Sequence, residues 1–343
     1  MSLDLPLIWA GLIATAVLLY VLLDGFDLGV GILFPFARDE QDRDVMMNTV
    51  APVWDGNETW LVLGGGGLLA AFPLAYSVLM PALYLPILLM LIGLILRGVA
   101  FEFRFRATGH GRIGWGLAFT GGSLAAAFAQ GLVLGGFIQG VTVENQRFAG
   151  GPFDWFTPYT LLVAAGLISG YALLGAAWLV MKTQDELHGS ARRWAWISGG
   201  LTAFLLAGVS LATLFIHPRV AARWGLESDS FDVGRFLPLA PIPLLGLIGL
   251  VVLVTGLRRT THHHRPFIGA LLFYLSGFLG LAVGFAPFIV PYALTYRDAA
   301  AAENALALML VGAAVVLPLI LGYTAWVYWI FRGKVTPDAG YHH

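Results

Sequence analysis

The sequence predicts an all-α integral membrane protein with nine transmembrane helices. Composition is the first reason: of 343 residues, 58% are hydrophobic and only 11% charged, and the mean hydropathy of +0.80 lies far outside the range of soluble domains. Span length is the second, because the apolar runs are near twenty residues or longer, which suits helices crossing a hydrocarbon core of ~30 Å. Barrel strands would alternate with a period of two over about ten residues, and that pattern is not seen. Cysteine is absent, which excludes disulfides, thiolate metal sites and iron–sulfur clusters within this chain. The net charge of −1 names no partner, and no nucleic acid is expected.

The first span, 6 to 36, follows an N-terminus (MSLDLPLIW) that lacks the basic region of a cleaved signal, so it reads as a retained helix. No charged residue occurs between Glu58 and Arg97. Unbroken, that stretch at ~1.5 Å rise would be about twice the bilayer core. A tight hairpin at Phe72-Pro73 is therefore expected, dividing a second span, 52 to 72, from a third, 75 to 101. The remaining spans are 113 to 139, 158 to 182, 193 to 217, 238 to 257, 266 to 289 and 303 to 331. Loops at 140 to 157 and 218 to 237 have neither linker composition nor a soluble domain's pattern, so 1–343 reads as one membrane domain.

Basic residues set the orientation. With the N-terminus outside, thirteen Lys and Arg residues, from Arg38 to Lys334, fall on the cytoplasmic side together with the C-terminus, and five fall outside: Arg147, Arg219, Arg223, Arg235 and Arg297. Trp9, Trp155 and Trp224 would mark the outer interface, and Trp115, Trp194, Trp196 and Trp329 the inner one. Arg97 is left inside the third span.

In that topology three charged motifs meet at one inner membrane level: DGFDLGVG ending the first span, WDGNETW opening the second and LRGVAFEFR ending the third. Asp24 and Asp27 are three residues apart, as are Asp55 and Glu58, so on helices each pair shares a face. Four carboxylates and Arg97 can then share a pocket. Ionised groups at membrane depth cost at least ~2.5 kcal/mol, so they pair, protonate or meet water. A mixed cluster of this kind can pass protons near neutral pH. Gly25, Gly29, Gly31 and Gly56 would allow close helix approach. The blander reading is that Asp55 serves the start of its helix, where a carboxylate caps N–H groups and favours the dipole, and that Arg97 snorkels to the headgroups.

Histidine falls in inner loops (His110, His188, His262 to His264), at an outer helix end (His217) and in the tail (His342, His343). With no mid-span histidine, a buried haem has no obvious axial ligand here; Met80, Met90, Met181 and Met309 read as packing residues. The His262 to His264 run reads as a solvated inner loop, and Gln130 and Gln139 as interhelical hydrogen-bonding groups.

DGFDLGVG, APVWDGNETWLV and LRGVAFEFR, in that order and spacing, resemble subunit II of the cytochrome bd-type quinol oxidases, a family that includes a cyanide-insensitive branch. The closing LGYTAWVYWIFRGKV is similar to that family's last helix, and the likeness covers essentially the whole chain. The resemblance implies two four-helix bundles, 1–139 and 158–289, plus a peripheral last helix, 303–331. It implies a haem-bearing subunit I as partner, holding two b-type haems, a third haem of d or b type and the quinol-oxidising loop, with no haem held by this chain. Some members add a structural quinone or a small single-helix subunit. The complex oxidises quinol and reduces dioxygen to water, taking its protons from the cytoplasm across the bacterial inner membrane. The family's WDGN aspartate, associated with proton uptake, falls on Asp55; Asp24, Asp27 and Glu58 join it as proton-pathway candidates. Arg97, Trp54, Asn57 and Glu102 are the candidates for a charge cluster that supports assembly. Two other classes stay open on the residues alone: a proton-coupled secondary transporter and a structural membrane scaffold. A transporter usually shows midplane-broken helices and an inverted repeat, and no convincing sequence repeat is found here.

Overall fold

A computed structural model describes residues 3–226, 230–259 and 262–336; the tail histidines His342 and His343 lie outside the described residues. Helix α1 (Leu5–Leu33) is capped by Asp4, which accepts from the Leu7 N–H at 3.3 Å, and carries Pro6 in its first turn. It closes in a short 3₁₀ turn, Phe34–Phe36. Next comes a helix that the apolar spans do not reveal, α2 (Glu40–Val50), capped by Asp39 through a 2.8 Å bond from the Asp42 N–H. Its Val45, Met46, Met47 and Val50 are buried, while Glu40 stays exposed.

The expected second and third spans become three helices: α3 (Trp54–Ala71), α4 (Pro73–Ala82) and α5 (Tyr84–Arg106). The break at Phe72-Pro73 is present, but the run from 75 to 101 is itself interrupted at Leu83. Pro86 cannot donate to the Ala82 carbonyl and Pro81 cannot donate to that of Ser77, so the ladder is weakened on both sides of Leu83. The start of α3 meets the end of α5, since Trp54 stacks on Phe101. The chain therefore reverses through α4 rather than in a tight hairpin.

Beyond them lie α6 (His110–Gln139), α7 (Pro158–Lys182), α8 (Asp185–Ile216), α9 (Pro218–Arg223), α10 (Val233–Phe236), α11 (Pro241–Arg258), α12 (Arg265–Phe285) and α13 (Glu303–Ile330). Thr157 and Thr160 form a reciprocal capping box at the start of α7, with Pro158 in its first turn. Two small antiparallel hairpins, β1 (Val143–Glu144) with β2 (Arg147–Phe148) and β3 (Phe288–Val290) with β4 (Leu294–Thr295), sit in the connections.

Among the described residues, eight helices are long and apolar enough to cross a membrane: α1, α5, α6, α7, α8, α11, α12 and α13. The remaining expected span, α3, has 18 residues but opens on the polar turns WDGNETW. In the packing, α1 lies against α3, α6 and α7, α5 pairs with α6, and α7 also touches α8 and α12, which pairs with α11. Residues Tyr171 to Val180 of α7 form a continuous buried run at the centre, whereas α13 buries only Leu306.

Glycine makes the central crossing possible. A Cβ on Gly29 would lie 1.8 Å from the Tyr171 carbonyl oxygen, and one on Gly175 would lie 2.4 Å from the Gly29 carbonyl carbon, so α1 and α7 meet backbone to backbone. Gly56 departs from the expectation of close approach: it stands on the exposed side of α3 with no atom within 4 Å of its Cβ position.

Candidate functional site

Two turns near the end of α1 carry Asp24 and Asp27; α3 brings Asn57 and Glu58 beside them, α5 brings Arg97, and α13 brings Tyr328. Asp24, Asp27 and Arg97 are completely buried, and Asn57 nearly so. Arg97 forks between two helices, Nη1 donating to Asp24 Oδ1 at 2.5 Å and Nη2 to Glu58 Oε2 at 2.7 Å. Charge-assisted bonds of this kind fix geometry as well as add energy. Asn57 bridges the other carboxylate: its Nδ2 donates to Asp27 Oδ2 at 2.7 Å, and its Oδ1 accepts from the Tyr328 hydroxyl at 2.8 Å. The Trp54 ring stacks on Phe101 with centroids 4.8 Å apart and 10° between planes, and lies 5.9 Å from the Arg97 guanidinium carbon.

The cluster is not saturated by protein. Asp24 Oδ2, Asp27 Oδ1 and Arg97 Nε are buried with no protein partner among the described residues. Asp24 and Glu58 share the Arg97 guanidinium, while Asp27 is held by Asn57, so three acids surround one cation. Glu58 keeps 27% of its side chain exposed and forms the rim of the cluster. The snorkelling alternative for Arg97 is excluded by its complete burial and by its two carboxylate partners.

Two candidates stand apart from this core. Asp55 is exposed in the first turn of α3, one turn before Glu58, and the cap position belongs to Val53. It is therefore outside the buried pocket that the sequence assigned to all four acids. Its position still complements the helix dipole. Glu102 is also exposed and faces Arg106 at 3.9 Å. Five residues beyond Arg97, it lies about 140° round α5 and cannot point the same way.

A second buried layer involves Gln130, which fulfils the interhelical expectation. Its Nε2 donates to the Tyr20 hydroxyl oxygen on α1 at 2.6 Å, and its Oε1 accepts from the Tyr171 hydroxyl on α7 at 2.7 Å. Gln139 accepts from Thr157 Oγ1 at 2.8 Å. Tyr328, Tyr20 and Tyr171 were not legible as site residues, because tyrosines in apolar helices look the same whether they mark an interface or hold a polar network.

The sequence also missed a charged cluster at the end of α5. Arg104, nearly fully buried, donates to Asp44 Oδ1 at 2.6 Å and Glu40 Oε2 at 2.8 Å, both on α2. Arg112 donates to the same two carboxylates, and the Arg104 guanidinium carbon lies 4.9 Å from the Phe34 ring centre. Burial pulls the Glu40 carboxyl upward, but bonds from Arg43 and Arg112 and the charge of Arg104 outweigh it and hold the group below its ordinary range. At the far end of α13, Lys182 Nζ donates to the carbonyls of Phe331 and Gly333, tying α7 to the last helix. The described histidines lie at or near helix ends or in the α11–α12 loop, where His263 meets His188 edge to face at 4.9 Å.

Long apolar helices enclosing a buried arginine–carboxylate cluster define a polytopic membrane protein that holds charge at depth. Residues 5–331 match the model of the cytochrome bd terminal oxidase subunit II family, and the chain belongs to that family. It is 30% identical over 361 residues to a probable cytochrome oxidase subunit 2 of Haemophilus influenzae, covering 96% of this chain and 95% of that one. To cytochrome bd-I ubiquinol oxidase subunit 2 of Escherichia coli K12 it is 29% identical, over 97% and 96% of the two chains. The subunit 2 of the Bacillus subtilis cytochrome bd ubiquinol oxidase is 26% identical, over 96% of each. A chain of the solved bd oxidase of Geobacillus thermodenitrificans shares the fold, with a TM-score of 0.73 at 19% identity over 97% of this chain and all of that one. The protein is thus a multi-pass protein of the bacterial inner membrane and a component of an oxidase complex.

Proposed function

We propose that this chain lines a proton pathway from the cytoplasm in a cytochrome bd-type quinol oxidase. The observation that carries the reading is the buried Asp24–Arg97–Glu58 cluster, continued through Asn57 to Asp27, with Glu58 at its rim and Asp55 exposed one turn nearer the helix end. In this reading α3 is a ninth membrane span, the N-terminus lies outside and the C-terminus lies in the cytoplasm. The two halves, 1–139 and 158–289, form four-helix bundles with α13 beside them.

Protons are taken up at Asp55, pass Glu58 and are held at Asp24 and Asp27, whose geometry is fixed by Arg97 and Asn57. Trp54, stacked on Phe101, keeps the guanidinium in place. Glu102 acts from the surface, at the contact with the partner. The haems of subunit I supply the redox chemistry of quinol oxidation and the four-electron reduction of dioxygen to water; the residues of this chain supply protons and hold the complex together.

The test is Asp55→Asn in the assembled complex, assayed with excess quinol alongside the haem spectrum. The substitution keeps shape and removes the exchangeable charge. Haem content is expected to stay normal while turnover falls ~10-fold or more, a barrier increase of about 1.4 kcal/mol. Full turnover would refute Asp55 as proton carrier. Turnover lost together with haem would assign the residue to assembly instead.

A further inference from the structure

We infer that Gln130 and Tyr20 are positioning residues for Asp24: a one-way hydrogen-bond chain, Tyr171 to Gln130 to Tyr20, aims the Tyr20 hydroxyl at the Asp24 carboxylate. The inference rests on the proton-pathway reading and assigns it a buried set of residues well away from Asp55.

The direction of the chain follows from donor and acceptor chemistry. Tyr171 donates to the amide oxygen of Gln130, and the amide NH₂ donates to the Tyr20 oxygen. Having accepted that bond, the Tyr20 hydroxyl still has its own hydrogen to give. Tyr20 precedes Asp24 by four residues on α1, so the two share a face. Asp24 Oδ1 is taken by Arg97, whereas Oδ2 is buried without a partner among the described residues. The Tyr20 hydroxyl therefore has a hydrogen to give, and Asp24 has one oxygen left to receive it.

The surroundings are built for this arrangement. A Cβ on Gly25, the residue after Asp24, would come within 2.8 Å of the Tyr171 ring, so a glycine at this place lets α7 bring its tyrosine to α1. All three members of the chain are buried. Asp24 is also faced by Arg97 from α5, Glu58 from α3, Asp27 on its own helix, Tyr171 from α7 and Tyr328 from α13. Among these, Arg97 donates to it, at Oδ1.

The experiment compares Tyr20→Phe, Gln130→Met, Tyr171→Phe and Asp24→Asn in the intact oxidase complex, reading haem content and the pH dependence of turnover. Tyr20→Phe removes one oxygen and keeps the ring. Haem content is expected to be normal, with the acid limb of the pH–rate profile moved to higher pH by about one unit, the worth of a hydrogen bond to a charged group. Gln130→Met should move it in the same direction by less, because Tyr20 keeps its hydroxyl but loses its orientation, and Tyr171→Phe should move it least. A purely structural role would lower haem content and leave the profile in place. An unchanged profile in Tyr20→Phe, alongside slowed turnover in Asp24→Asn, overturns this inference alone; it is also the result if the Gln130 amide lies the other way round and accepts from Tyr20. Full turnover in Asp24→Asn overturns the pathway reading at this residue and the inference with it. Should Tyr20→Phe lose haem, Tyr171→Phe decides, since it leaves α1 untouched.

Discussion

Two arginines of α5, seven residues apart, sit in opposite surroundings. Arg97 and Arg104 are both buried, and each forks between two carboxylates. The partners of Arg97 are Asp24, with no exposure, and the partly exposed Glu58; those of Arg104, Glu40 and Asp44, keep 49% and 33% of their side chains exposed. Arg104 also shares its carboxylates with Arg112, whereas Arg97 is, among the described residues, the one cation facing three acids. One cluster is balanced, wet and local, joining α2 to α5 and α6. The other is acid-rich and lies between α1, α3 and α5, with Glu58 at its rim. The same pair of residue types therefore makes an exposed fastening in one place and a buried acid-rich cluster in the other, the cluster to which the proposed function assigns proton transfer.

If that contrast is right, Arg97→Leu has the largest effect. It leaves Asp24 and Glu58 without their cation, and breaking a buried pair by removing one partner costs about 3–5 kcal/mol. The complex should fail to accumulate with its haems, read from the spectrum of solubilised membranes; normal assembly would break the comparison from the buried side. Arg104→Leu comes next, because Glu40 and Asp44 can turn to water and keep Arg112. A loss of about 1–2 kcal/mol in thermal stability is expected, with turnover per haem unchanged. A turnover defect in Arg104→Leu would erase the distinction between the two sites.

Tyr328→Phe is a smaller perturbation. It removes the donor to Asn57 Oδ1 but leaves the Asn57 bond to Asp27 intact. Turnover should fall by about threefold, ~0.7 kcal/mol, with haem content preserved. Asp27→Asn is expected to fall between Tyr328→Phe and Asp55→Asn in turnover, since Asp24 and Glu58 remain in the cluster.

Smallest is the response of the surface cluster to acid. Because the Glu40 carboxyl is held below its ordinary 4.5, its stabilising contribution is complete above that value and is lost as pH falls through the lowered one. Thermal stability of the solubilised complex should therefore drop below about pH 4.5 and do so less steeply in Glu40→Gln. Raising the salt concentration should mimic this for the Arg104 cluster and leave the Arg97 cluster unaffected, because screening acts on exposed charges.

Much of this was legible along the chain. Charge placed inside apolar runs is expensive enough that Asp24, Asp27, Glu58 and Arg97 stood out before any packing was known, and the 3.6-residue period put the acids on shared faces. Helix α2 was not visible, since an eleven-residue amphipathic segment with mean polarity carries no span signal. The break at Leu83 was missed because proline spacing, rather than hydropathy, causes it. Asp55 and Glu102 were grouped with the buried set on motif proximity, although their orientation depends on which sides of α3 and α5 other helices cover.

By itself, the sequence determined the membrane class, the family and the identities of the charged residues at depth, because each follows from local composition, spacing and the cost of desolvating charge. Only the tertiary structure decided which of those charges meet. That depended on α1 and α7 crossing at Gly29 and Gly175, on α4 turning α5 back against α3, and on the neutral partners Asn57, Gln130, Tyr20, Tyr171 and Tyr328 arriving from five helices. Neutral polar side chains carry no large desolvation signal in sequence, so their role is fixed by three-dimensional contact alone.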